Sequence, residues 1–361
     1  MSVLHTILHP KQEGVSPMPR QTKPSHYSLR HLLGISLALS LFVFLLPVLT
    51  VRGEAVLTPK GDKTTPTSPY ESSAIPTSAR DRGRVVKLLL PDGTISELSM
   101  EEYLLGVVSA EMPASFELEA LKAQACAART YTVRKQTYET AKHPDADVCT
   151  DISCCQAYLS PSDAAQRWGS SAESYTQKIQ QAVAETDGLG VLYNGSPIQA
   201  VFFSSAPGYT VDAVEVWGNQ VDYLQSVESP EGDEVPNFRS TVTLSADEVK
   251  SLILNTYANA NLTGDPSTWF GSPVTNQGGT VSSILVGGVT LTGNQIRSLF
   301  QLRSACFLVS WDGTSFTFSV TGYGHGVGMS QYGANTMAQS GSTYDEILTW
   351  YYTNTQVDFL W

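Results

Sequence analysis

The stretch 103-YLLGVVSAEMPASFELEALKAQACAARTY-131 decides how the fold is organised. Its apolar residues recur at helical spacing up to Glu111, and Pro113 then interrupts the pattern. A first helix is therefore expected to begin near Met100 and to end close to Glu111. A long second helix is expected from about residue 117 to residue 138, with small residues that permit close packing. Its predicted buried stripe consists of Leu118, Leu121, Ala125, Ala128 and Thr132.

Strands are expected on both sides of these helices. Residues 85–100, VVKLLLPDGTISELSM, read as a strand, an Asp-Gly turn and a second strand. Residues 191–203 and 274–319 also look rich in β-structure, with Gly-containing turns, whereas the chain from Gly333 onward returns to helix. The predicted fold class is α+β, as a single mixed helix and sheet domain over residues 84–361.

The N-terminal part of the chain predicts a membrane anchor. Residues 32–51, LLGISLALSLFVFLLPVLTV, carry no charge and are long enough to span a bilayer core of about 30 Å. Lys23 and Arg30 precede them, so residues 1–31 are expected in the cytoplasm and the rest outside the cell membrane. A cleaved signal peptide is the alternative. Residues 52–83 are rich in Pro, Ser and Thr and predict a flexible linker.

The distribution of charge excludes one class of partner. The chain of 361 residues has a net charge of −12, yet its residues up to Arg52 carry five Lys and Arg against Glu13 alone. That balance of +4 leaves −16 for the remainder. Because a nucleic-acid partner requires a basic patch that displaces counterions, nucleic-acid binding is not expected.

Glu111 is the candidate for proton chemistry. Val107, Met112 and Phe116 are among the apolar residues that flank it. Partial desolvation raises the pKa of a carboxyl group and lets it hold the proton that a general acid must donate. A solvated glutamate near a helix end is the alternative interpretation of the same residue.

Two sequence blocks in this order resemble the stage II sporulation protein D family: 103–131, quoted above, and 324-GHGVGMSQYGA-334. The resemblance covers residues 84–361. It implies a lytic transglycosylase that cleaves the bond between N-acetylmuramic acid and N-acetylglucosamine in peptide-stripped peptidoglycan and releases 1,6-anhydro products. It also implies septal wall thinning and engulfment during endospore formation, with the catalytic domain on the mother-cell side of the septum.

The resemblance assigns site residues. Glu111 matches the family's catalytic glutamate, while Lys122, Gln124 and Arg129 match positions in or near its active site. Helical geometry places Lys122 and Arg129 on one margin of the buried stripe and Gln124 on the other, so a packing role for Gln124 stays open. The segment 202-FFSSAPGYT-210 departs from the family pattern at its Ala-Pro pair. Further candidate substrate contacts are Ser204, Thr210, Tyr223, His325 and Tyr332.

A second cluster, His143, Cys149, Cys154 and Cys155, has residue types and spacing that suit a tetrahedral zinc ion. The family has a similar set of His and Cys, although Cys154 stands where its second histidine often lies. Four protein ligands leave no open position for water, so the zinc is expected to be structural. One disulfide with free thiols is the alternative.

The resemblance implies a wall amidase and a membrane organiser as partners besides the glycan strands. Amidase enhancers share the same sequence blocks, so a non-catalytic glycan-binding scaffold or amidase enhancer is the alternative function. A zinc hydrolase is a third reading, which requires an open coordination position on the metal.

Overall fold

The computed structural model describes residues 78–138 and 143–361. The predicted cytoplasmic segment 1–31 and anchor 32–51, and most of the predicted linker, lie outside the described residues. Within the described residues, no helix combines the length and apolar character that crossing a membrane requires. The folded region begins before the expected boundary at residue 84, since helix α1 (Ala79–Arg82) places the Asp81 side chain in full burial.

Two consecutive helices form the centre of the fold, as predicted. Helix α2 (Met100–Glu111) begins with a capping box in which Ser99 and Glu102 exchange hydrogen bonds, and it ends where Met112 turns extended before Pro113. Helix α3 (Leu118–Tyr138) follows. Its burial goes beyond the predicted stripe, because its middle section is enclosed on nearly every side. Small alanine side chains let the neighbouring helices and a strand approach closely.

Five further helices come from parts of the sequence beyond α3. They are α4 (Pro161–Trp168), α5 (Ala172–Glu185), α6 (Ala213–Trp217), α9 (Gln331–Gln339) and α10 (Tyr344–Tyr351). Of these, α5, α9 and α10 contact α3 directly. The helical C-terminal region therefore agrees with the prediction.

Small sheets cover this helical centre. Strand β1 (Val85–Leu89) pairs antiparallel with β2 (Ile95–Ser99), as the Asp-Gly turn predicts, and parallel with β3 (Val148–Cys149). Strand β4 (Leu189–Tyr193) pairs antiparallel with β5 (Ser196–Pro197) and with the last strand, β14 (Gln356–Phe359). Strand β6 (Phe202–Phe203) pairs in parallel with β13 (Met329–Ser330). That short pairing joins the two sequence regions that line the candidate site.

A second hydrophobic core lies between residues 242 and 320. Its two three-stranded sheets are built from β7 (Arg239–Ser245), β8 (Val274–Thr275), β9 (Val281–Val286), β10 (Val289–Leu291), β11 (Phe307–Trp311) and β12 (Ser315–Thr321). Helices α7 (Ala246–Thr256) and α8 (Gly293–Leu299) accompany them. The α+β class is confirmed, with α8 as a helix inside the segment predicted to be β-rich.

Candidate active site

Glu111 is the last residue of α2 and is half-buried between two packed segments. Its Oε1 atom accepts a hydrogen bond from the backbone N–H of Ala157 at 2.7 Å. Its Oε2 atom accepts one from Nε2 of Gln331 at 3.2 Å. One carboxylate is thus held by the loop before α4 and by the first residue of α9.

Burial dominates the electrostatics of this carboxyl group. Desolvation raises the pKa of Glu111 above its ordinary value of 4.5, although the hydrogen bonds from Ala157 and Gln331 act in the opposite direction. The sequence-based expectation of a raised pKa therefore agrees in direction with the structure. A carboxyl group in this state suits proton donation, and the two N–H donors stabilise the anion that remains.

Two cavities meet at Glu111. The larger has a volume of about 680 Å³ and extends past the ring of Trp217 and the loop that holds Cys154. The smaller, of about 390 Å³, extends past Trp168 and Tyr332 on the other side. Both are lined by Ala110, Glu111, Ser204 and Gln331. The carboxylate therefore stands at the junction of an elongated cleft, with room for ligand on either side.

The Gly-rich block forms the wall of the cleft opposite α2. Parallel pairing of β13 with β6 sets Ser330 beside Phe203, so Ser204 and Gln331 emerge next to one another. Gly328 has a φ of +78°, and a Cβ there would overlap the carbonyl oxygen of Val201. A larger residue at this position would disturb the pairing on which the wall depends.

His325 lines the larger cavity through its ring and not through a free nitrogen. Nδ1 accepts the backbone N–H of Val327 at 3.1 Å, so the proton of the neutral ring lies on Nε2. The imidazole also has a hydrogen bond to the backbone of Phe202. Burial and the nearby Arg297 lower the pKa of His325 to about 4. The ring, tilted against those of Phe203 and Trp217, is neutral near pH 7.

Lys122 and Arg129 line neither cavity. Lys122 forms ion pairs with Glu119 at 2.7 Å and Glu185 at 2.5 Å. Arg129 is completely buried, and its Nη2 lies 2.6 Å from Oδ2 of the equally buried Asp81. The partner of Arg129 is thus Asp81 and not Glu111.

The remaining predicted contacts divide into two groups. Ser204 and Tyr332 lie on the cleft, Tyr332 with its ring edge-on to Phe116. Three others stand behind the wall and line neither cavity. Gln124 is fully buried and accepts Nε2 of Gln331 through Oε1 at 3.5 Å. Thr210 accepts the N–H of Val227 inside its own loop, and Tyr223 accepts the N–H of Gln199, which lines the larger cavity.

The four predicted metal ligands come together in the structure. The candidate ligand atoms of His143, Cys149, Cys154 and Cys155 all lie within 4.8 Å of one another. Nε2 of His143 is 3.3 Å from Sγ of Cys154, which is 3.8 Å from Sγ of Cys155. None of the chain's five cysteines, all of which lie in the described residues, is in a disulfide.

The cluster adjoins the cleft. Cys154 and Cys155 line the larger cavity, and Ala157, whose N–H holds Glu111, follows Cys155 by two residues. The position of this N–H therefore depends on the fold of the cysteine loop.

Comparison with known proteins identifies the family. A family model described as "Stage II sporulation protein" matches residues 92–193. Stage II sporulation protein D of Bacillus subtilis is 39% identical over 267 residues, which cover 73% of this chain and 76% of that protein. Stage II sporulation protein D of Bacillus amyloliquefaciens is 35% identical over 316 residues, covering 87% and 90%. The chain belongs to the stage II sporulation protein D family.

The family resemblance drawn from the two sequence blocks is thereby confirmed, and with it an involvement in sporulation. A further relative is named amidase enhancer, from Bacillus subtilis, and is 30% identical over 312 residues, or 70% of this chain and 40% of that protein. Its name connects the family to the processing of the cell wall.

Several cleft residues of this family member were not singled out in the sequence. Gln331 lies inside the quoted block GHGVGMSQYGA, yet its contact with Glu111 depends on the pairing of β6 with β13. Arg167 and Trp168 end a short helix that carries no motif, and they line the smaller cavity. For these two residues the sequence holds no signal beyond their chemical type.

Proposed function

We propose that the chain is a peptidoglycan lytic transglycosylase that uses Glu111 as both acid and base. The observation that carries this proposal is the carboxylate content of the cleft. Among the described residues lining the two cavities, Glu111 is the single acidic one. Hydrolytic glycosidases generally need a second carboxylate within about 5–9.5 Å, either as nucleophile or as the base that activates water. A transglycosylase needs one, because a hydroxyl of the substrate is the nucleophile.

In the proposed reaction, Glu111 first donates a proton and later takes one up. Protonated Glu111 donates its proton to the oxygen that bridges C1 of N-acetylmuramic acid and the next N-acetylglucosamine, and the C1–O bond breaks. The 6-hydroxyl of the same muramic residue attacks C1, and the Glu111 carboxylate takes the proton from that hydroxyl. The products are a 1,6-anhydro end and a new 4-hydroxyl, and the enzyme is again protonated. While Glu111 is charged, the N–H groups of Ala157 and Gln331 stabilise it.

The position of Glu111 between two cavities supports cleavage inside a strand. A polymer that crosses the carboxylate can place sugars in the larger cavity and in the smaller one at the same time. Trp217, which is 40% exposed, and Tyr332 offer aromatic faces on the two sides. Both serve as platforms for pyranose rings.

Arg167 places a positive charge at the smaller cavity, which Lys122 and Arg129 do not line. It is the cation among the described residues lining the smaller cavity, which otherwise holds apolar and neutral polar groups beside Glu111. Removal of the stem peptide leaves a free lactyl carboxylate on N-acetylmuramic acid. A guanidinium group pairs with a carboxylate through two parallel hydrogen bonds, so Arg167 favours peptide-stripped glycan.

The cysteine cluster fits a structural zinc ion. Tetrahedral zinc with Zn–S bonds of about 2.3 Å separates two sulfur ligands by about 3.8 Å, and the Sγ atoms of Cys154 and Cys155 are 3.8 Å apart. Burial raises the pKa of Cys155 to about 12, and a bound metal cation would oppose this shift because it stabilises the thiolate form. His143, Cys149, Cys154 and Cys155 would hold the ion, which would fix the loop that ends at Ala157.

We further propose the cellular setting that the sequence predicts. Residues 32–51 anchor the chain in the cell membrane with residues 52–83 as a linker, and the catalytic domain faces the wall on the mother-cell side of the septum. There it thins septal peptidoglycan during engulfment, in company with a peptide-removing amidase and a membrane organiser.

The test is incubation of the full chain with glycan strands that lack stem peptides, followed by mass spectrometry of the ends. We expect 1,6-anhydro ends from the wild type, and a rate lower by at least about a hundredfold for Glu111→Gln. Glu97→Gln, which alters an exposed carboxylate that lines neither cavity, is the matched control. Reducing ends that contain the oxygen of water would instead show a hydrolase.

The second candidate function is a glycan-binding amidase enhancer, which the relative of that name favours. Such a protein would bind the strands without releasing ends, and Glu111→Gln would leave binding unchanged. An amidase assay with and without the chain then measures the enhancement directly.

A further inference from the structure

Glu231 is a buried carboxylate outside the cleft. It lies in the segment between α6 and β7, is 5% exposed and lines neither cavity. No Lys or Arg of the described residues forms an ion pair with it. A buried charge without a counterion is costly unless hydrogen bonds satisfy it. The hydrogen-bond partners of Glu231 therefore indicate which segments it holds in place.

Three donors converge on this carboxylate. The backbone N–H of Ala206 bonds Oε1 at 2.6 Å, and the Ser330 hydroxyl donates to the same oxygen. The Ser229 hydroxyl donates to Oε2 at 2.6 Å. Burial raises the pKa of Glu231, and the three hydrogen bonds lower it. A set made only of donors matches a carboxylate that accepts on both oxygens.

Two of the donors belong to segments that line the cleft. Ser330 is the N-cap of α9, where its Oγ also accepts the N–H of Gly333 at 3.2 Å. The next residue, Gln331, donates to Glu111. Ala206 lies two residues after Ser204, whose carbonyl accepts the N–H of Tyr332 at 3.0 Å.

Closely packed groups on the far side of Glu231 leave its carboxylate no room to move. Ser229 Oγ lies 2.6 Å from the hydroxyl of the buried Tyr351. A Cβ on Gly333 would overlap Tyr351, Ser229 and Glu231 together. The carboxylate is therefore wedged between the start of α9 and helix α10, and its position sets that of Ser330.

We propose that Glu231 is a positioning residue for the catalytic carboxylate: by holding Ser330 and Ala206 together, it fixes the first turn of α9 so that Gln331 meets Glu111. The reaction to which this applies is the one proposed above. Glu231 touches neither substrate nor Glu111 and acts through the Ser330–Gln331 step of the backbone.

The test compares Glu231→Gln, Gln331→Ala and the double variant in the full chain. A glutamine at 231 turns an –NH2 group toward one of the three donors, so the clamp loses at least one hydrogen bond. We expect kcat per folded molecule to fall roughly ten- to a hundredfold, with KM little changed, since misplacement by about 1 Å has effects of this size. The double variant should be no slower than the slower single variant, because both act through one contact.

Asp81→Asn is the matched control. It also alters a fully buried carboxylate, but that residue pairs with Arg129 away from the cleft. We expect lower stability and an unchanged kcat per folded molecule. If Glu231→Gln behaves like this control, or if the effects of Glu231→Gln and Gln331→Ala multiply, the proposal is overturned. Should Glu231→Gln fail to fold, Ser330→Ala removes the same contact and is judged by the same criteria.

A spectroscopic readout separates this inference from the proposed function. The side-chain amide signal of Gln331 in a ¹⁵N spectrum, assigned by its loss in Gln331→Ala, should move in Glu231→Gln and stay in Asp81→Asn. An unmoved signal overturns the positioning role whether or not the chain cleaves glycan. A wild type that releases no ends, with the expected shift of this signal, refutes the enzyme function alone.

Discussion

Replacement of Arg129 by methionine tests whether this arginine of the family motif serves the fold or the substrate. The side chains of Arg129 and Asp81 are both fully buried. Nε and Nη2 of Arg129 lie 2.9 and 2.6 Å from Asp81 oxygens, and Nη1 donates to the carbonyl of Leu189 at 2.8 Å. Methionine keeps much of the apolar stem and removes the charge, so Asp81 loses its only cation in the described chain.

Two independent estimates give the loss in free energy of unfolding that Arg129→Met should cause. Removing one partner of a buried ion pair typically costs about 3–5 kcal/mol. The alternative open to the variant is to protonate Asp81, whose ordinary pKa is 3.8. At about pH 7 that protonation costs about 4 kcal/mol, at 1.36 kcal/mol per pH unit. We therefore expect the free energy of unfolding to fall by about 4 kcal/mol, a large part of the usual 5–15 kcal/mol.

The burial of Asp81 also sets the sign of the pH dependence of the free energy of unfolding. With Arg129 in place, burial already raises the pKa of Asp81 above its ordinary value of 3.8, although Arg129 lowers it. In the variant that lowering is lost, so the folded-state pKa lies higher still and the folded protein binds the proton more tightly than the unfolded chain. Stability is then lost as the pH rises above the unfolded pKa, and the penalty shrinks as the pH falls. At about pH 5 protonation costs only about 2 kcal/mol.

The assay is urea unfolding of wild type and Arg129→Met at both pH values, with glycan cleavage measured per folded molecule. Asp81→Asn in the Arg129→Met background should restore much of the stability at neutral pH, because no charge is left buried. A neutral-pH loss below about 1 kcal/mol, or one equal at both pH values, would contradict a buried ion pair. A lower rate per folded molecule at unchanged stability would make Arg129 a substrate contact after all.

Three further predictions concern the cleft. Because burial raises the pKa of Glu111, the cleavage rate should decline with rising pH around a midpoint above 4.5, measured as initial rates of anhydro-end release; a midpoint at or below 4.5 would contradict a desolvated acid. Arg167→Ala should raise KM about tenfold for strands with free lactyl carboxylates and leave it unchanged for amidated strands, whereas Arg239→Ala, an exposed arginine paired with Asp233, should alter neither. Cys149→Ser should lower both bound zinc, measured by elemental analysis, and the cleavage rate, while Cys306→Ser, outside the cluster, should retain both.

The predictions from sequence agree best with the structure where a local sequence pattern determines the arrangement. The end of α2 at Glu111 follows from helical spacing and Pro113, and the first hairpin follows from its Asp-Gly turn. The cysteine cluster forms because its three cysteines lie within one loop beside His143. In these cases, residues near in sequence are also near in space, so spacing alone indicates the arrangement.

The predictions were incomplete where the role of a residue is determined by a partner that is distant in the sequence. A helical wheel places Arg129 on one margin of α3, but its role is set by Asp81, from a segment that reads as linker by composition. The burial of Gln124 and Arg129 exceeds the apolar stripe, because Asp81 and Leu189 bind the guanidinium of Arg129 and Gln331 donates to Oε1 of Gln124. The contact between Gln331 and Glu111 spans most of the domain and depends on the parallel pairing of β6 with β13, which no spacing encodes.

A mechanism that uses one carboxylate requires more precise positioning of that carboxylate than a mechanism that uses two. In the proposed transglycosylase reaction, the same oxygen atoms of Glu111 must give a proton to the bridging oxygen and then take one from the 6-hydroxyl, so Glu111 cannot be repositioned between the steps. Its two anchors are neutral donors, Ala157 and Gln331, which hold the charged form without keeping it permanently ionised. A lysine or arginine at either place would lower the pKa and remove the acid. The groups that hold these two donors stand one step back: the cysteine cluster lies behind Ala157 and Glu231 lies behind Gln331. Support through neutral donors explains how the site can be rigid while Glu111 keeps a raised pKa.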